Sequence, residues 1–165
     1  MAFRLQTFLL IVSALVLLSA TAETQTGARA VQAVTMEVKP ITKISVSGNP
    51  AALVVSDALA GTEVLSVRDE NTRYSITTNI ENMKIVASIN QQMPPGTKLM
   101  VRLESRKGMS VGVVDISNAL NPVDVIRSIS KGSDANQRIT YIFAADPSVG
   151  EIPQQTRTIT LTLTD

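Results

Sequence analysis

Residues 157–164 read Arg-Thr-Ile-Thr-Leu-Thr-Leu-Thr, an unbroken alternation of apolar and threonine side chains. Successive side chains of an extended chain point to opposite sides. Ile159, Leu161 and Leu163 therefore share one face, and Thr158, Thr160, Thr162 and Thr164 share the other. A helix cannot gather these apolar residues into one stripe. The run predicts a β-strand with a dry face and a hydroxyl face, and such a strand needs a sheet to lie in.

The opposite end of the chain predicts an address. Met1-Ala2-Phe3-Arg4 opens it, an apolar run covers residues 8–18, and Ser19-Ala20-Thr21-Ala22 follows. A short basic start, a run too short for a comfortable membrane span, and small residues at the −3 and −1 positions make a secretion signal with cleavage after Ala22. Cleavage after Ala30 and an uncleaved anchor helix are the alternatives. The expected division is a signal peptide over 1–22, a flexible mature N-terminus over 23–33 and a β-sandwich domain over 34–165. Cleavage after Ala22 leaves 143 residues, in which 14 basic side chains meet 14 acidic ones. That length suits one domain, and the balance argues against nucleic acid or an anionic membrane as a partner held by net charge.

Between the two ends, short alternating segments alternate with turn signals. Val34, Met36 and Val38 alternate with polar residues, Pro40 interrupts, and Ile44 and Val46 follow. Because proline is excluded from central strands, this is either an edge strand or two short strands with a kink. Residues 51–59 contain Leu53-Val54-Val55 and predict a strand, with a short helix as the alternative. Leu65 and Val67 are expected to face inward, and residues 73–78 read as a strand with Tyr74 and Ile76 on one side. Met83, Ile85, Ala87 and Ile89 form a clear apolar face, and so do Leu99, Val101 and Leu103. Residues 109–116 read as strand-like around Gly112, where a bulge or a close backbone approach is expected. Residues 123–129 are β-rich, and residues 131–136 have loop composition. Ile139, Tyr141, Phe143 and Ala145 line a penultimate strand. The linker from there to the last strand is long for a hairpin, so the two strands either pair across a long loop or lie in different sheets. Eight to ten short strands with turns about every 8–12 residues predict an all-β fold, a single antiparallel immunoglobulin-like β-sandwich.

Reactive side chains are scarce. The chain has no His and no Cys, which removes histidine triads, thiol nucleophiles, the usual structural zinc sites and disulfides. Ser128 and Lys131 have the Ser-x-x-Lys spacing, but they sit in a β-rich run and not at a helix start. Asp134 and Asn136 match only a fragment of a calcium loop. Asp57, Asp69, Glu70, Asp115, Asp124 and Asp146 fall singly or at turns, where such residues bend and cap the backbone. Arg102, Arg106 and Lys107 form a small basic group without interleaved aromatics. With the leader removed, the aromatics are Tyr74, Tyr141 and Phe143, too few for a sugar-stacking surface. The expectation is a protein that is not an enzyme, with no catalytic, cofactor-binding or metal-binding residues and no cofactor.

The leader, the strand-rich middle and the terminal alternation over 157–164 resemble the exported β-sandwich subunits of bacterial chaperone–usher surface fibres and related coat proteins. The resemblance covers mainly the two ends. Those subunits often carry a Cys pair and an aromatic near the C-terminus, whereas this chain ends Leu163-Thr164-Asp165 without either, so no functional residue carries over. It implies a periplasmic or extracellular structural role, with a protein partner or self-association. Residues 30–39 are a candidate for pairing with a neighbouring subunit's sheet edge, against the alternative of pairing within their own domain. A second class of function, a periplasmic ligand-binding or chaperone-like accessory domain, needs a concave apolar pocket.

Overall fold

The computed structural model describes residues 30–56, 61 and 63–165. The expected signal peptide lies outside the described residues. The compact unit Val38–Asp165 contains ten strands, and no helix occurs among the described residues. These strands are β1 (Thr42–Val46), β2 (Leu65–Asp69), β3 (Arg73–Thr78), β4 (Met83–Ile89), β5 (Thr97–Leu103), β6 (Met109–Ser110), β7 (Val114–Asp115), β8 (Val123–Ile129), β9 (Gly132–Ala145) and β10 (Ile159–Thr164). All pairings are antiparallel.

Two sheets result. One runs β1-β3-β9-β5-β7, with β2 also on β9; the other runs β10-β4-β8-β6. Strand β9 organises the larger sheet because it is fourteen residues long. Its first half pairs with β3, and its second half lies between β2 and β5. The penultimate and last strands lie in different sheets, which the long connection between them permits.

The alternating segments place one face each in a shared core. Tyr74, Ile76, Val101, Leu103 and Ile139 come from the larger sheet, and Ile85, Ala87, Val125, Ile126 and Ile129 from the smaller. Each fully buried aliphatic side chain contributes about 1.5–3 kcal/mol by leaving water. Burial of this kind supplies the cohesion that a chain without cysteine cannot draw from disulfides. Tyr74 keeps its hydroxyl satisfied inside the core by donating to the Glu104 carbonyl at 2.6 Å.

The structure corrects four of the expectations. Residues 131–136, of loop composition, largely belong to β9, which begins at Gly132 and pairs with Thr78. A bulge makes this workable. The register against β3 shifts between Tyr74 and Ile76, and Asn136 takes the left-handed conformation at φ 58°, which asparagine tolerates better than most residues. Residues 51–56 form no strand, and residues 57–60 lie outside the described set. Residues 109–116 form two dipeptide strands, β6 on the smaller sheet and β7 on the larger. Gly112 sits between them at φ 96° with open space where a Cβ would stand, so conformation selects this glycine and not a close approach.

Strand β8 carries two register shifts against β4. They bury consecutive residues, Val125 and Ile126, which simple alternation would place on opposite faces. Ser128 absorbs part of the distortion at φ 53°. At the start of the unit, β1 is an edge strand, but it covers only Thr42–Val46 of the run from Val34 that the alternation predicts as strand. Val34, Met36 and Val38 precede it outside any strand and are 71%, 85% and 81% exposed.

Candidate functional site

The acidic residues flagged by sequence act on their own backbone. Asp134 is buried, and its Oδ2 accepts from Ser105 Oγ at 2.7 Å, from the Arg106 N–H at 2.8 Å and from the Lys107 N–H at 3.2 Å. It ties the turn after β5 to β9. Asp69 is buried too. Desolvation pushes its carboxyl up, but hydrogen bonds from the Asn71 side chain and backbone, from the Ala51 backbone and from Thr72 outweigh this and hold it below the usual range. Asp115 Oδ1 accepts from the Ser117 N–H and hydroxyl, and Ser117 Oγ accepts from the Leu99 N–H. Asp124 pairs with Arg127 at 2.8 Å. Glu70 lies 3.6 Å from Arg68 and 3.8 Å from Arg138. Asp146 is held low by the hydrogen bonds that Ser148 donates. Asp57 lies outside the described residues.

The remaining candidates do not converge. Ser128 is exposed on its bulge, while Lys131 pairs with Glu81 at 3.5 Å. Arg102, Arg106 and Lys107 are all exposed. Among the described residues, no three acidic side chains gather to hold a metal ion, and no buried polar side-chain atom lacks a partner. A depression of about 300 Å³ is lined by Asp115, Asn118, Ala119, Asn121 and Val123. Its lining is short, with Asp115, Asn118 and Asn121 beside the apolar Ala119 and Val123.

The distinctive feature is an edge. Strand β10 ends the smaller sheet and pairs only with β4 among the described strands. Its phase follows from the residue just before it. The Thr158 carbonyl accepts from the Asn90 N–H at 3.0 Å, and the Thr158 N–H donates to Asn90 Oδ1 at 2.8 Å. Thr158 therefore faces β4. In an antiparallel ladder, hydrogen-bonded and non-hydrogen-bonded pairs alternate. Thr160, Thr162 and Thr164 then spend their backbone groups on β4. Ile159, Leu161 and Leu163 turn their N–H and C=O groups outward, three donors and three acceptors along one edge.

The same three residues direct their side chains inward. Leu163 is buried, while Ile159 and Leu161 are only half-buried against the core. Ile44 on β1 is half-buried as well, although Ile76, its register partner on β3, is fully covered. The threonine face of β10 looks to solvent at Thr160 and Thr162. The alternation that predicted the strand was legible in the sequence. Its unpaired edge was not, because edge status depends on which strands arrive beside it.

A second exposed apolar segment follows the crossing between sheets, where Met109, Val111 and Val113 remain open to solvent. Comparison with known protein families, with curated proteins and with solved structures finds no match to this chain.

Proposed function

We propose that this is an exported structural or interaction protein, an immunoglobulin-like β-sandwich that works through its strand edges as a cell-surface or fibre subunit. The observation that carries this reading is the β10 edge among the described strands, with outward backbone groups at Ile159, Leu161 and Leu163 above an apolar row that is half-buried at Ile159 and Leu161 and buried at Leu163. Open edges are liabilities that proteins usually blunt with charge, proline or cover. This one carries only apolar residues and threonine from Ile159 to Thr164.

The occupant is a second copy's N-terminal segment. Val34, Met36 and Val38 alternate as a strand does and are exposed. Added beside β10, they form the backbone ladder and set three apolar side chains on the core-facing side, in the manner of β-strand addition. Each newly buried side chain brings about 1.5–3 kcal/mol, and each new ladder bond about 1 kcal/mol. The signal-like sequence of residues 1–22 supports a periplasmic or extracellular address, and the resemblance to fibre subunits points the same way.

Light scattering on the processed chain, residues 23–165, across a concentration series tests the reading. Polymers that grow with concentration and vanish when residues 23–39 are deleted are the expected result. A strict monomer, or assembly that survives the deletion, contradicts it.

A further inference from the structure

Asn79 follows β3 and serves as an extra rung between β3 and the chain entering β1. Its backbone N–H donates to the Ile41 carbonyl at 3.2 Å, its Oδ1 accepts from the Ile41 N–H at 2.7 Å, and its Nδ2 donates to the Lys39 carbonyl at 2.8 Å. The β1–β3 register ends at Thr42 against Thr78. Asn79 prolongs it by one pair, with the side-chain amide doing what a peptide unit does in a ladder. Pro40 lies between the two bonded residues and has no N–H to contribute, so the clamp bridges a site where a ladder would otherwise fail. At the far end of β1, the Ser47 N–H donates to the Arg73 carbonyl at 2.8 Å, and Ser47 Oγ accepts from the Arg73 N–H at 3.0 Å.

We infer that Asn79 is a positioning residue that keeps the donor strand of the proposed assembly from closing on its own subunit; this rests on the reading of β10 as the acceptor edge. The pairing residues end at Val38 and β1 begins at Thr42. Only Lys39, Pro40 and Ile41 are left to reverse the chain. Closure on β10 must also cross from β1 on the larger sheet to the smaller one, a gap of about 10 Å between packed sheets that three extended residues just reach, and a segment tethered this closely has an effective concentration on the order of millimolar. Closure within one subunit would then outcompete a neighbour at micromolar concentration. Asn79 holds Lys39 and Ile41 in line with β1, which denies those residues the turn.

The test is Asn79→Ala in the processed chain, with Asn79→Asp as a milder variant that keeps an acceptor for the Ile41 N–H and loses the donor to Lys39. Loss of the side-chain bonds shifts the balance towards the closed monomer by about fivefold per bond. The expected readout is fewer polymers at equal concentration and slower cutting after Glu37 by a glutamate-specific protease in the monomer, with Asn79→Asp between wild type and Asn79→Ala. If Asn79→Ala does not fold, Asn79→Asp alone decides. A variant that polymerises like wild type, with Glu37 cut as fast, overturns the role of Asn79 and leaves the β10 reading intact. A wild-type chain that never polymerises, or that polymerises without residues 23–39, overturns both.

Discussion

Thr158 and Asn90 hold each other by two hydrogen bonds, the Asn90 N–H to the Thr158 carbonyl at 3.0 Å and the Thr158 N–H to Asn90 Oδ1 at 2.8 Å. This pair sets which backbone groups of β10 are spent on β4 and which are free. Proline substitution reads that phase directly. Leu161→Pro removes an outward N–H, so the isolated subunit should lose little beyond the altered core contact, about 1–2 kcal/mol, while assembly fails. Thr162→Pro removes a ladder bond to β4 and leaves its acceptor there unpaired, which should cost the subunit more, about 2–4 kcal/mol with the lost packing. Urea unfolding of the two variants, compared with their light scattering, checks the contrast. Equal destabilisation would mean the phase is assigned wrongly.

Asp134 is the main tie between β9 and the turn after β5. Asp134→Ala deletes three accepted hydrogen bonds and leaves the Arg106 and Lys107 amides without that partner. The expected loss is about 2–4 kcal/mol in urea unfolding. Asp134→Asn keeps one acceptor oxygen and should cost less. If Asp134→Ala unfolds like wild type, the carboxylate does not organise this turn.

Tyr141 pairs in register with Asp69. Burial, with the Asp69 charge adding to it, pushes the phenol up from 10.0 to about 12. Below pH about 10 the group is neutral in both folded and unfolded chains, and its full contribution is present. As pH rises from 10.0 to about 12, the unfolded chain ionises first and stability falls, on the order of 2–3 kcal/mol by the upper end. Tyr141→Phe should flatten that part of the alkaline slope in chemical denaturation curves recorded at successive pH values. An unchanged slope would show that Tyr141 does not ionise late in the folded chain.

Local alternation made β3, β4, β5 and β10 legible, because each presents one apolar face to a single core. It misled wherever tertiary partners override pattern. Val34, Met36 and Val38 alternate as well as Leu99, Val101 and Leu103 do, yet only the latter have a strand on either side. Residues 132–136 look like loop because the bulge at Asn136 and the tie through Asp134 call for polar side chains inside a strand. The paired burial of Val125 and Ile126 also has no signal in an alternating pattern, since it comes from two register shifts against β4. The candidate site was the least legible of all. The β10 edge is defined by a neighbour it does not have among the described strands, and the Asn79 clamp joins residues 38 and 40 positions apart in sequence.

Amide hydrogen exchange along β10, compared between dilute monomer and assembled protein, tests the central claim most directly. The backbone phase predicts slow exchange at Thr160, Thr162 and Thr164 in both forms. It predicts fast exchange at Ile159, Leu161 and Leu163 in the monomer and strong protection of those same amides in the assembly. An assembly in which Ile159, Leu161 and Leu163 still exchange as they do in the monomer would contradict the account.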